Sequence, residues 1–359
     1  MLTEEEIVST LQPLNGTYFN IEDLPAYARK WQEKGKVACT RIDGELASYV
    51  LYYDDGPEAF ISMVWTHPGM QNRGHATALL ESLVGKISKP IALEVDAANP
   101  ARRLYAKLGF RMIDISGTRE RLVQGRRVAI MQPYFFPYIG YFQLINAADL
   151  FVFYDDVHFI KRGRIHRNSI LVNGKEHGFT VPIADASQNR LIMETGLHAF
   201  EAWRDQFLKQ LTYSYKKAPF FMPAIEAIAG ALDAPIRSIG DLAIASLRQA
   251  HEYLGVRLNC VRSSEFSPET RGLEKSMRLI EITKKAGGTR YINTIGGMQL
   301  YEKPQFSELG VALSFIKIGQ AVEYRQYGGP FVPWLSIIDV MMFNSPEQIR
   351  EMLDNYDVI

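Results

Sequence analysis

The chain has 359 residues, 47% of them hydrophobic, which is enough for ordinary globular cores and more than one core comfortably holds; two domains are expected. Lysine plus arginine and aspartate plus glutamate both number 40, so the formal net charge is zero. That balance argues against a broad basic surface for nucleic acid and leaves room for a local phosphate-binding patch. The two cysteines, Cys39 and Cys260, show no metal-ligand spacing and read as small buried hydrophobes in a reducing compartment. No apolar run approaches about 18 residues, and the opening stretch to Leu11 is acidic, so a soluble cytoplasmic protein without membrane insertion is expected.

Glu4 to Leu11 reads as a short helix capped by Thr3, and Ile21 to Lys34 as a second. Lys36 to Thr40 and Ala47 to Tyr53 alternate as strands around the Asp43-Gly44 turn, and Ala59 to Thr66 is a third strand. Past His67 the chain reads Gln71-Asn72-Arg73-Gly74-His75-Ala76-Thr77, where a Gly-containing turn opens a helix. The first N–H groups of a helix lack internal partners and the dipole adds positive potential, so small residues here suit a pyrophosphate as well as an ordinary helix start. Ile91 to Asp96 is a strand, and Asn99 to Phe110 a helix stopped at Gly109.

Taken together, the QNRGHA loop and the later NPARRLYAKLGF segment closely resemble the GNAT family of acetyl-CoA-dependent N-acetyltransferases, over roughly the first 120 residues. The resemblance implies a GNAT fold, a mixed sheet with helices, and acetyl-CoA as cofactor. It implies that Val64, Trp65 and Thr66 offer backbone groups to the pantetheine arm. Gln71, Asn72, Arg73, Gly74, His75, Ala76 and Thr77 would cradle the pyrophosphate, and Asn99 would lie beside the cofactor. Tyr105 would protonate the departing thiolate. Glu94 matches a general-base position of some members, and His67 is the alternative. The brief N-terminal region leaves the acceptor amine open.

Thr118 to Arg127 is charged and reads as a last strand and turn, or a linker, which sets the domains at residues 1–122 and 123–359. The larger domain shows strands at Val128–Gln132, Leu150–Tyr154, Ile170–Val172, Phe179–Pro182, Arg257–Arg262 and Ala312–Lys317. Helices read at His198–Ser214, Pro223–Leu232, Ser238–Leu254, Leu273–Ala286, Trp334–Met342 and Pro346–Asn355. Helices alternating with single strands predict a larger α/β domain with a mostly parallel sheet.

The strand at Leu150 leads into a polar cluster in which Asp155, Asp156, His158, Lys161, Arg162, Arg164, His166, Arg167 and Asn168 fall within fourteen positions. Loops after strands are where open α/β folds keep their sites. Gln132 suits a hydrogen-bonding role, and the aromatics from Tyr134 to Tyr141 suit a core or a stacking surface. Asp155 and Asp156 point to opposite faces if the strand continues. Lys161 and Arg167 suit a phosphate or carboxylate, or ion pairs with those two aspartates. Ser263-Ser264 and Gly296-Gly297 follow strands and are candidate anion sites. Ser336 and Asp339 read as caps of the helix after Pro333. His158 and His166 could pair at a metal with Asp156, but no further ligand of suitable spacing stands out, so no metal is expected.

These segments, with QPYFFPYIGYFQLI, YDDVHFIKRGRIHRN, FTVPI, YKKAP, VRSSE, RYINTIGG and FVPWLSIIDVMMFN in order, resemble the WbqC-like family. Many members carry His where this chain has Met131. The family commonly accompanies genes for bacterial surface polysaccharide. A looser, fold-level likeness links QPxxFPxxG and AADLFVFYDD to the start of HIGH-type nucleotidyltransferases, which implies nucleotide binding or acyl activation. The two resemblances imply a bifunctional N-acyltransferase of surface-glycan biosynthesis. Its WbqC-like domain would attach an aminoacyl group to the amine of a nucleotide-linked amino sugar, and its GNAT domain would acetylate that group. Tyr138, Gln132, Asp155, Asp156, Lys161, Arg167, Asn168, Ser263, Gly296 and Gly297 are the expected substrate-binding residues. The aminoacyl donor would be a carrier protein or a tRNA. In the alternative, the GNAT domain acetylates the sugar amine directly and the WbqC-like domain only binds the sugar nucleotide.

Overall fold

The computed structural model describes residues 2–16, 21–56, 58–87, 89–184, 189–318 and 322–359. The chain divides into two compact units, Met1–Arg126 with Lys284–Thr289, and Arg127–Thr283 with Arg290–Ile359.

In the first unit two helices, α1 (Glu4–Leu11) and α2 (Leu24–Lys34), precede β1 (Lys36–Ile42), β2 (Glu45–Tyr53) and β3 (Ala59–Thr66). Then come α3 (His75–Lys86), β4 (Ile91–Asp96), α4 (Arg102–Lys107), β5 (Arg111–Ser116) and β6 (Arg119–Gln124). The sheet order is β1-β2-β3-β4-β6-β5. It is antiparallel except where β3 meets β4. This is the expected mixed sheet. Alternation along β4 turns Ile91, Leu93 and Val95 onto one face, where they pack with Leu80, Leu83, Tyr105 and Phe110 from the α3–α4 side. Trp31, Tyr49, Leu51 and Trp65 fill the opposite face beneath α1 and α2.

The second unit starts with β7 (Arg127–Met131), α5 (Ile139–Asn146) and β8 (Leu150–Phe153), followed by β9 (Arg167–Val172) and β10 (Lys175–Thr180). Three long helices, α6 (Phe200–Tyr215), α7 (Phe221–Leu232) and α8 (Ile239–Leu254), lead to β11 (Cys260–Arg262) and a single turn, α9 (Ser263–Phe266). Then come α10 (Lys275–Lys285), β12 (Arg290–Thr294), α11 (Lys303–Glu308), β13 (Ala312–Ile318), α12 (Ile337–Phe343), α13 (Pro346–Leu353) and β14 (Tyr356–Val358). The main sheet runs β11-β8-β7-β12-β13-β14, parallel throughout except for the last pair. Numbered within the sheet by chain order, this is 3-2-1-4-5-6, the doubly wound order.

One expectation fails here. The runs at Ile170 and Phe179 are not single strands of the main sheet; β9 and β10 pair with each other as a separate hairpin over Asn173-Gly174. That turn has both residues at positive φ (51° and 73°), as a two-residue hairpin turn demands. The cysteines also depart from expectation: Cys39 is exposed and Cys260 half-buried. Cys39 sits opposite Tyr49 on the α1–α2 face, but on the edge strand β1, and a small thiol tolerates either environment. Among the described residues no helix is long and apolar enough to cross a membrane.

Candidate functional site

The first unit holds a cleft made by strand divergence. β3 and β4 pair only at Ala59–Ile91, Phe60–Ala92 and Ile61–Leu93. Beyond that point β3 stays with β2 through Val64–Val50, Trp65–Tyr49 and Thr66–Ser48, while β4 stays with β6. Ser62 marks the change, because the β2–β3 register shifts there and leaves it as an extra residue. One edge of Val64–Thr66 therefore faces a gap instead of a ladder. On its other side the Trp65 carbonyl accepts from Ser48 Oγ at 2.7 Å.

The QNRGHAT segment follows β3 directly. Gly74 takes φ 84° as the N-cap residue of α3, and no side chain caps that helix end. Asn72 is also left-handed, at φ 61°. Gln71, Asn72 and Arg73 are exposed, and His75, Ala76 and Thr77 form the first turn. A left-handed glycine opening an uncapped helix leaves free N–H groups at the end of the cleft, the environment a pyrophosphate needs. Asn99 is half-buried and its Oδ1 accepts from the Ala101 N–H at 2.9 Å, which leaves its amide NH2 and one Oδ1 lone pair for a ligand.

Glu94 and Tyr105 lie on opposite faces of the sheet. Tyr105 is 7% exposed and packs its ring 5.8 Å from Phe110 on the α3–α4 face. Burial pushes its hydroxyl up to about 12. Glu94, one residue after Leu93, turns to the other face, where Arg119 and Arg121 each lie 3.8 Å from its carboxylate. His67 is a weaker candidate base. Its Nδ1 accepts from the Gly69 N–H at 3.1 Å, so the neutral ring carries its proton on Nε2 and offers no free lone pair there.

In the second unit the expected residues collect at the C-terminal ends of the parallel strands. Gln132 follows β7, Asp155 and Asp156 follow β8, Ser263 opens α9 after β11, and Gly296 and Gly297 follow β12. In this strand order the ligand crevice opens between β7 and β12, where the winding reverses. Gln132 is half-buried there, its carbonyl accepts from Tyr141 Oη at 2.7 Å, and its side-chain amide has no partner among the described residues. At Gly297 a Cβ would come within 2.6 Å of Asn293 Nδ2, so a larger residue would have to displace that side chain. Gly296 is exposed beside it.

Residues 132–351 match the model of the WbqC-like protein family. The chain belongs to that family. Residues 5–110 match the acetyltransferase (GNAT) family, which makes acetyl-CoA the cofactor that the N-terminal cleft fits. Protein Rv1507c of Mycobacterium tuberculosis, itself uncharacterized, is 26% identical over 63% of this chain and 98% of its own. Among solved structures, a putative GNAT acetyltransferase of Desulfovibrio desulfuricans is 14% identical, covers 34% of this chain and 92% of its own, and has a TM-score of 0.29. The ribosomal-protein-S18-alanine N-acetyltransferase of Escherichia coli is 21% identical over 34% and 87%, with a TM-score of 0.28.

Within the WbqC-like domain the two aspartates do not point apart. The chain leaves β8 at Phe153, so strand alternation no longer governs them. Ser263 Oγ donates to Asp156 and lies 3.3 Å from Asp155. Asp155 also accepts from the Ser264 N–H at 3.1 Å and Ser264 Oγ at 2.9 Å. Asp156 pairs with Arg271 at 2.8 Å and Arg278 at 2.7 Å, not with Lys161 or Arg167. Both carboxylates have no exposed side-chain surface. Burial raises Asp155. Burial also works to raise Asp156, but hydrogen bonds from Arg271, Ser263 and Arg278 outweigh it and leave it below the usual range. These groups fasten the loops after β8 and β11, and a substrate does not reach them in this conformation.

Asn168 is a fastener too. The peptide of Phe136 has φ 38°, a strained value for a bulky side chain, and three side chains pin it. Its carbonyl accepts from Asn168 Nδ2 at 2.7 Å and Ser336 Oγ at 2.6 Å, and its N–H donates to Ser246 at 3.0 Å. Tyr138, two residues on, precedes α5 and packs 6.0 Å from the exposed, left-handed Trp334.

The cations from Lys161 to Arg167, at the entry to β9, meet no carboxylate among the described residues. Lys161, Arg162, Arg164 and Arg167 are exposed, and none pairs with a carboxylate among the described residues. Arg167 is oriented by the Lys161 carbonyl at 2.8 Å and by His166 Nε2 at 3.2 Å. Among the described residues no group of three His, Cys, Asp or Glu is placed to hold a metal ion.

Sequence reasoning missed Arg271 and Arg278, and it took Asp339 for a cap. Asp339 is fully buried and accepts from Tyr215, Tyr324 and Gln326, each at 2.7 Å. An aspartate inside the apolar run IIDVMMF was the available signal, since a buried carboxylate needs partners.

Proposed function

We propose that the protein is a bifunctional N-acyltransferase of bacterial surface-glycan biosynthesis. The WbqC-like domain attaches an aminoacyl group to the amine of a nucleotide-linked amino sugar, and the GNAT domain then acetylates the exposed amine of that group. The observation that carries the acetyl half is the gap beyond Ile61–Leu93, with Glu94 and Tyr105 on opposite faces. A donor and an acceptor entering from opposite sides meet there, with a base and a hydrogen-bond donor on their respective sides. When bound, acetyl-CoA supplies an acetyl group activated as a thioester. Glu94 takes the proton from the acceptor amine, with the positive charges of Arg119 and Arg121 each 3.8 Å from its carboxylate. Tyr105 keeps its proton at any working pH, because burial has raised it to about 12. A thiol titrates near 8.5, so full transfer from Tyr105 is uphill by roughly 5 kcal/mol. Its hydroxyl stabilises the leaving thiolate by hydrogen bonding and hands over the proton only late, if solvent does not.

For the WbqC-like domain, support comes from the doubly wound strand order together with the unpaired cationic loop. Lys161 and Arg167 bind the diphosphate, while Gln132 and the Gly296-Gly297 backbone contact the rest of the sugar nucleotide. One observation favours the second reading, in which this domain binds without catalysis and the GNAT domain acetylates the sugar amine directly. Asp155 and Asp156 are sealed, and neither Met131 nor Gln132 titrates.

Incubation with acetyl-CoA and a panel of free and aminoacylated nucleotide amino sugars tests the first half; no thiol release with any of them refutes it. K161A/R167A separates the two readings. Loss of a separable aminoacylation step, with carrier-protein thioesters and aminoacyl-tRNA as donors, favours catalysis. Loss of sugar-nucleotide affinity alone, with acetyl transfer intact, favours the binding module.

A further inference from the structure

An open cavity of about 710 Å³ lies beside the edge strand β11, a volume typical of small-molecule sites. Arg237, Asp241, Arg248, Cys260, Arg262 and Phe266 are among the residues that line it. None of the expected strand-end residues does so, and β8 separates β11 from the crevice at β7.

The charges in this cavity are unevenly committed. Arg262 is held by Asp241 at 2.7 Å and lies 3.8 Å from Asp155. Asp241 is fixed in turn by the main-chain N–H groups of Arg237 (3.0 Å) and Ser238 (3.1 Å). The guanidinium groups of Arg237 and Arg248 are exposed and meet no carboxylate within ion-pair distance among the described residues. Subtracting the Arg262–Asp241 pair leaves two guanidinium groups against one acid, Glu265. Two guanidinium groups without a carboxylate partner, in a cavity also lined by Val261 and the half-buried Phe266, suit a dianion with an apolar or planar body.

We infer that this cavity is a second ligand site, for a small molecule bearing a phosphate group, independent of the strand-end crevice. Arg237 and Arg248 hold the phosphate, and Arg262 forms the inner wall. Through Arg262 the bound molecule adjoins Asp155, which fastens Ser264 at the strand-end loop.

Cys260 reports on occupancy, because it is a half-buried free thiol within the cavity and Cys39 is the only other cysteine. In full-length C39S protein, the rate of Cys260 alkylation by N-ethylmaleimide is measured against inorganic pyrophosphate at constant ionic strength. The expected result is saturable slowing of at least about threefold, which R237A/R248A abolishes and K161A/R167A leaves intact. Absence of slowing overturns the inference. So does slowing that survives R237A/R248A, or slowing lost in K161A/R167A, which would place the phosphate in the strand-end crevice. Circular dichroism of each variant confirms that the fold is retained, as expected for exposed arginines.

Discussion

Acid should weaken the second unit through one histidine. His166 is 3% exposed, its Nδ1 has no hydrogen-bond partner, and its ring lies 5.1 Å from Phe159. Burial first, and the charge of Arg167 second, push its pKa down to about 4. An unfolded histidine titrates near 6.5. Between these values the unfolded chain binds a proton that the folded chain refuses. The stabilisation is therefore fully present above about pH 6.5 and is lost as pH falls toward 4. The loss amounts to about 2 kcal/mol at pH 5 and roughly 3 kcal/mol near pH 4. The perturbation is H166Q, which keeps an acceptor for Arg167 and removes the titration. Urea unfolding of wild type and variant at pH 7.5 and pH 5 isolates the effect, because Asp155, Asp156 and Asp339 titrate in both proteins. Wild type should lose about 2 kcal/mol more than H166Q between the two pH values. Equal losses would refute the reasoning and mean that the imidazole finds a proton acceptor when it charges.

Three further outcomes are expected. Y105F keeps the ring contact with Phe110 and should lower kcat for thiol release by about a hundredfold with KM for acetyl-CoA nearly unchanged; a shift in KM alone would make Tyr105 a packing residue. G74A meets no atom within 4 Å of the new Cβ, so its cost is the strain of φ 84°, about 1 kcal/mol; it should raise KM for acetyl-CoA several-fold, and an unchanged KM would remove this loop from the cofactor site. D156A leaves Arg278, 5% exposed, without its carboxylate and should destabilise the protein by about 3–5 kcal/mol in urea unfolding; a loss under about 1 kcal/mol would mean the arginine has found water or another acceptor.

The sequence by itself determined the kinds of element and most of their order. Ile91, Leu93 and Val95 alternate because a strand has period two, and Gly74 and Gly255 mark helix ends because left-handed backbone favours glycine. These are local rules, readable from neighbouring residues. Motif spacing likewise made the acetyltransferase family legible, since QNRGHAT and the segment around Tyr105 are contiguous runs. Only the tertiary structure decided which polar residues are spent. Asp155 and Asp156 look like site residues until Ser263, Ser264, Arg271 and Arg278, over a hundred positions away in the chain, close around them. Asn168 looks equally available until the strained Phe136 peptide claims its amide. A buried charge needs partners wherever the fold can supply them, and linear spacing carries no record of which distant loop does so. The same holds for the gap between β3 and β4, which depends on where two pairings end. It holds for the arginine-lined cavity beside β11, assembled from a loop, a helix face and a strand edge that share no motif.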